Sequence, residues 1–244
     1  MFTALWFLMT GSVEAGDQHT LTWDLSIADQ SVGRRSLTVK YAPSDHGVRR
    51  ILETWTEVDG QVGSYRIRFR QRMTGHAEGR EPAAFQSVVD ENGSAREIQG
   101  RWTPSGWLVT NLSDGRARTV EMPLDRIDIS TTDILDPGTA WSMSRFETLR
   151  ILSAETGLVE RGLVEPLGMS EIKIGGTPIQ VMGFAWDGPQ GRSLFYFGTD
   201  GYLVRSETPM FGVNVVAQLT RRPPGGPDDF AVPNSVPRIE HLPL

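Results

Sequence analysis

The 244-residue chain contains no cysteine, which excludes disulfides, thiolate nucleophiles and cysteine-based zinc sites. Lysine is nearly absent too: Lys40 and Lys173 are the two present, and arginine supplies the remaining positive charge. Acids outnumber bases, 30 to 24, giving a net charge of −6 and a pI near 5.3. That balance argues against a protein that tracks nucleic-acid phosphates. No stretch approaches the roughly 18 apolar residues needed to span a bilayer. The short motifs of catalysis are missing: there is no Gly-x-Ser-x-Gly elbow, no His-Glu-x-x-His and no phosphate-binding loop. The four histidines, His19, His46, His76 and His241, share no metal-ligand spacing, and solvated loop positions account for them. The chain reads as a non-enzyme, with no catalytic residue, no metal and no cofactor.

What is present is alternation. Trp23, Leu25 and Ile27 alternate with Thr22, Asp24 and Ser26, a polar turn follows, and Leu37, Val39 and Tyr41 alternate with Ser36, Thr38 and Lys40. This is a hairpin with one wet face. Val48 to Val58 is a third strand, with Ile51 and Trp55 on one parity. From Ser64 to Thr74, Tyr65, Ile67, Phe69 and Met73 share one face, and Arg66, Arg68, Arg70 and Arg72 the other. Only a period of two separates these sets; a helix would scatter them. The arginine stripe is either an anion-binding surface or a solvated sheet face set opposite acids such as Glu53 and Glu57, the second being the simpler reading.

Strands continue at short intervals: 83–90, 95–102, 106–112, 117–122, 158–166, 170–174, 178–186, 193–197, 202–207 and 212–220. Asn92-Gly93, Asp114-Gly115, Gly175-Gly176 and Asp200-Gly201 stand between them, each suited to the positive φ of a tight hairpin turn. Residues 130–136 fit a single helical turn, with Thr131 or Thr132 as N-cap and Pro137 as stop. Residues 145–153 are ambiguous between a strand and a short helix; Phe146, Leu149 and Leu152 suit the helix. Asp125, Asp128, Asp133 and Asp136 form the densest acidic cluster but lack the spacing of a calcium loop. The fold class expected is mainly β: a large curved antiparallel sheet, half-barrel or open barrel, with one or two short helices.

The termini differ in kind. Residues 1–15 read as a short secretory signal, an apolar run ending in Val13-x-Ala15. Residues 16–222 form the β domain. Residues 223–244 are a Pro-rich tail. The expected location is therefore periplasmic or secreted, with peripheral or no membrane contact.

Trp23-Asp-Leu-Ser-Ile-Ala-Asp-Gln-Ser-Val32-Gly33 resembles the opening hairpin of bacterial exported domains of unknown function of the DUF3108 kind. Ile174-Gly-Gly-Thr-Pro178 and Thr199-Asp-Gly-Tyr-Leu-Val-Arg205 are similar to later hairpins of that group. The resemblance covers most of residues 20–220 loosely. It implies a curved sheet akin to the half-barrel of the lipoprotein carriers LolA and LolB. The chain departs from the carriers in having no lipidation cysteine and few helices to fill a concave face. The function expected is binding of a hydrophobic ligand (lipid, acyl chain or lipoprotein) in that face. Its candidate lining is Trp23, Leu25, Ile27, Leu37, Val39, Tyr65, Ile67, Phe69 and Met73. The alternative is an envelope accessory or scaffold protein acting through contacts with another envelope protein.

Overall fold

In the computed structural model, the residues described are 18–44, 47–78, 81–135, 143 and 145–221. The expected signal, the Pro-rich tail, His46 and His241 lie outside them. The chain forms β1 (Gln18–Ile27), β2 (Gln30–Ser44), β3 (Gly47–Val62), β4 (Tyr65–Glu78), β5 (Glu81–Glu91), β6 (Ser94–Thr103), β7 (Gly106–Ser113) and β8 (Arg116–Pro123). A single 3-10 turn (Leu124–Arg126), β9 (Ile129–Ser130) and α1 (Thr131–Ile134) follow. The rest is β10 (Thr148–Leu152), β11 (Val159–Ile174), β12 (Thr177–Gly188), β13 (Gly191–Gly198), β14 (Leu203–Met210) and β15 (Val213–Arg221).

All fifteen strands belong to one sheet, in the order β8-β7-β6-β5-β4-β3-β2-β1-β15-β14-β13-β12-β11-β10-β9. The chain therefore starts in the middle of the sheet, builds one wing outward by successive hairpins, and later returns along the other wing to pair β15 with β1. The pairings are antiparallel except the short β9–β10 ladder. This is the curved, mainly antiparallel sheet that the alternation implies.

Tight turns hold this meander together. Asn92-Gly93, Asp114-Gly115 and Gly175-Gly176 all have positive φ at both central residues, the conformation that matches a hairpin turn to the twist of its strands. Phe211-Gly212 does the same with φ of 56° at the phenylalanine, a position few bulky residues occupy. Its ring packs against Phe69, 5.7 Å between centroids, so packing holds the backbone where propensity would not.

The core lies on the concave side. Leu21, Trp23, Leu25, Leu37 and Val39 from the central strands are buried, as are Ile98 of β6 and Phe184 and Phe197 of the other wing. The Trp23 indole N–H donates to the Leu203 carbonyl at 3.0 Å, tying β1 to β14 two strands away. The wings also meet through the connection between β10 and β11. There the Arg96 Nε donates to the Glu155 carbonyl at 2.8 Å and Asn111 donates to that of Thr156 at 3.3 Å. A Cβ on Gly157 would stand 3.2 Å from Ile98 and 3.3 Å from Val109, so this turn lies directly on β6 and β7.

Two local expectations shift, and one segment left open between strand and helix is decided. The N-cap of α1 is Ser130 rather than Thr131 or Thr132, and the Asp133 carboxylate accepts from the Ser130 backbone N–H at 2.6 Å. Residues 148–152 are a strand, because Leu149, Ile151 and Leu152 are buried beside β11 and override a helical spacing. The two strands expected at 158–166 and 170–174 are one long strand, with a register shift between Pro166 and Gly168.

Candidate functional site

Between the wings lies a cavity of about 440 Å³. One wall is β2–β6, the opposite wall is β12–β14, and α1 with residues 153–156 closes over them. Its apolar lining includes Phe69 and Met73 on the first wall, Trp186, Phe195 and Leu203 on the second, and Ile134, Leu135 and Ile151 from the covering segment. The volume falls in the range of about 300–1,000 Å³ typical of small-molecule sites, which combine apolar walls with a few placed polar groups.

Strand register places those polar groups. Trp23 pairs with Arg35, Arg35 with Thr56, Thr56 with Gln71 and Gln71 with Val89. These five share one rung on the concave side, because side chains directly opposite in a ladder point the same way. Trp23 and Val89 are core. Arg35, Thr56 and Gln71 between them line the cavity. Thr56 and Gln71 are buried, and Gln71 donates to the Ser87 hydroxyl at 3.0 Å. Across the cavity, Ser193 and Ser206 are buried in its lining.

Arg35 is the anomaly of this rung. Its Nε donates to the Thr56 hydroxyl at 3.2 Å. Among the described residues no carboxylate comes within the 4.0 Å of an ion pair. Burial pulls its guanidinium pKa down, and the more distant charge of Glu155 pushes it back up. The other charges around the cavity are engaged. Arg96 is bonded to Glu91 at 3.2 Å, Glu155 accepts from Ser153 at 3.0 Å and from Thr131 at 3.4 Å, and Glu160 accepts from Gln190 at 2.8 Å.

The sequence-derived lining divides into three groups. Phe69 and Met73 border the cavity. Trp23, Leu25, Ile27, Leu37, Val39 and Ile67 are buried in the core. Tyr65 is 79% exposed, contrary to the inward placement given to it. It begins β4 at the hairpin, whereas the β4–β5 ladder starts only at Phe69, so the sheet flanks Tyr65 on one side alone. On β3 the inward residues are Leu52, Thr54, Thr56 and Val58, while Trp55 is 44% exposed on the outer face. The residues that alternation missed are Arg35 and Gln71. Each is a polar residue at an apolar parity, Arg35 with Leu37 and Val39, Gln71 with Phe69 and Met73.

Elsewhere the polar features have structural roles. Of the arginine stripe, Arg66 meets Asp59 and Arg70 meets Glu57, each at 2.9 Å, while Glu53 is held by Lys40 at 2.9 Å. His19 is no loop residue. It lies buried in β1, with its Nε2 2.6 Å from the Tyr202 hydroxyl, and burial lowers its pKa. In the acidic cluster, Asp128 takes bonds from the Arg150 backbone and guanidinium at 2.7–3.0 Å, and Asp133 caps α1. Among the described residues, no group of three or more His, Asp or Glu is arranged to hold a metal, and no helix is long and apolar enough to cross a membrane.

Sheet and cavity together define a barrel-like β protein enclosing a mixed polar and apolar chamber. A solved protein of similar fold is described as a beta-barrel-like protein of the domain of unknown function DUF1849, from Brucella abortus. The match has a TM-score of 0.58 and 10% sequence identity, and covers 86% of this chain and 98% of that one. At that identity the likeness is one of fold. No family model matches the sequence, and no curated protein does. The resemblance stated from the sequence therefore holds at its coarser level, a β-rich domain of unknown function, and not for DUF3108 or the lipoprotein carriers in particular.

Proposed function

We propose that the protein is a non-catalytic, exported binder that takes a hydrophobic ligand of acyl-chain type into the chamber between its wings. The observation that carries this reading is the cavity of about 440 Å³, walled by Phe69, Met73, Trp186, Phe195 and Leu203. Dry, close-packed cores leave few voids larger than a water molecule, so a chamber of this size in the middle of a sheet has a use. Its walls come from strands far apart in the sequence and paired in register, a rigid frame for a site. The test is titration of the delipidated full chain with the uncharged apolar dye N-phenyl-1-naphthylamine. Saturable uptake of one dye per chain, displaced by a long-chain lipid, is expected. Absence of saturable uptake would remove the reading.

One observation favours the accessory-protein alternative. Leu163 and Met169 on β11 and Leu158 just before it are 60–62% exposed, and exposed apolar side chains grouped on one element suit a protein contact. Recovery of one stoichiometric partner, lost on replacing Leu163 and Met169 by serine, would support it.

A further inference from the structure

We propose that Arg35 anchors the anionic head group of the ligand, so that the chamber selects a single-chain acidic amphiphile over a neutral lipid of equal length. This deepens the reading above and rests on it. A cation partly withdrawn from water, as Arg35 is, gains from a charged partner, and every other charged group bordering the cavity already has a bonding partner among the described residues. Arg35 has one neutral bond, through Nε to Thr56. That bond leaves the two terminal nitrogens of the guanidinium, the fork that grips a carboxylate or phosphate through parallel hydrogen bonds. No carboxylate of the described residues forms an ion pair with them. Register sets Arg35 beside Thr56 and Gln71 on one wall, and the apolar lining of Phe69, Met73, Trp186 and Phe195 is ready for a chain. One charged end and one greasy body are the two halves of an acidic amphiphile. The negative charge of Glu155 acts on Arg35 from beyond ion-pair distance, and it weakens an anion's hold.

The test compares hexadecanoate, hexadecyl phosphate and hexadecanol as displacers of N-phenyl-1-naphthylamine from the full chain, with acetate and inorganic phosphate as chainless anions. The wild-type protein should prefer a charged probe to the alcohol by about tenfold or more, as removal of one member of a buried charge pair would imply. Whether hexadecanoate or hexadecyl phosphate is stronger identifies the head group. Arg35→Met should bring the acid-to-alcohol ratio near one while retaining the alcohol, and Arg35→Lys, which keeps charge without the fork, should fall between. Glu155→Gln should strengthen the acid alone, and Arg70→Gln on the outer face should change neither. If Arg35→Met does not fold, as judged by circular dichroism, the wild-type ratio still decides. Equal wild-type affinity for acid and alcohol overturns the anchor and leaves the binding chamber standing. Competition by acetate or phosphate as strong as by their long-chain forms overturns the amphiphile. Binding of no probe at all overturns both the anchor and the function beneath it.

Discussion

The two faces of the sheet across β2, β3 and β4 treat the same side chain in opposite ways. Outside, Arg66 and Arg70 lie 60% and 64% exposed and meet Asp59 and Glu57 on the next strand. Water already solvates these charges, so pairing them adds little. Inside, Arg35 sits one strand over from Glu57's own strand with a threonine hydroxyl as its bonding partner. The conspicuous run of four arginines is therefore the less informative feature, and the single arginine interrupting an apolar parity is the more informative one. Charge count carries little about function in this chain; which face a charge occupies carries a good deal.

Substitutions can sharpen that contrast, beginning with the inner rung itself. Trp23→Ala should cost about 3–5 kcal/mol in denaturant unfolding, since it empties the core beside Arg35 and removes the indole bond to Leu203. Asp128→Asn probes a cation between the two extremes, Arg150, which is paired and half-buried. It should cost about 1.5–3 kcal/mol, the scale of hydrogen bonds to a charged group. Burial raises the Asp128 pKa, but the bonds and charge of Arg150 outweigh it and hold it below 3.8. A carboxyl with a depressed folded pKa stabilises the fold above its unfolded value and loses that contribution as pH falls through the folded one. The wild-type advantage over Asp128→Asn should thus shrink only in strong acid, below about pH 4.

Arg35→Met should leave the ligand-free protein as stable or up to about 1 kcal/mol more stable, because it removes a part-buried charge that has no carboxylate in ion-pair contact among the described residues. A gain in stability together with a loss of acid selectivity is the pattern of a residue kept for binding. Arg70→Gln should be the smallest effect, within about 0.5 kcal/mol, as for most exposed substitutions. A large loss at Arg70, or at Arg35 without ligand, would erase the distinction between the faces.

Much of the fold was legible because hairpins are local. Alternation from Trp23 to Ile27 and from Ile67 to Met73 names the buried face of each strand, and Asn-Gly, Asp-Gly and Gly-Gly pairs name the turns between them. Tyr65 shows the limit: parity gives the face but not how far along a strand the neighbouring ladder extends. Leu149 to Leu152 show another, since burial beside β11 decides a short apolar segment that periodicity leaves open. Half of the chamber was also within reach, for Arg35 and Gln71 break their parities in plain view. The other half was not. Trp186, Phe195 and Ser206 face β3 and β4 only because the sheet curls and β15 returns to β1, a pairing between the two ends of the domain that no local pattern announces.

The most direct measurement of an occupied chamber is the intact mass of the protein isolated from its source cells, recorded under native and then denaturing conditions. A native mass exceeding the denatured mass by one single-chain, acidic lipid is the expected result. Equal masses, persisting after incubation with excess hexadecanoate, would contradict a ligand-binding role for the cavity.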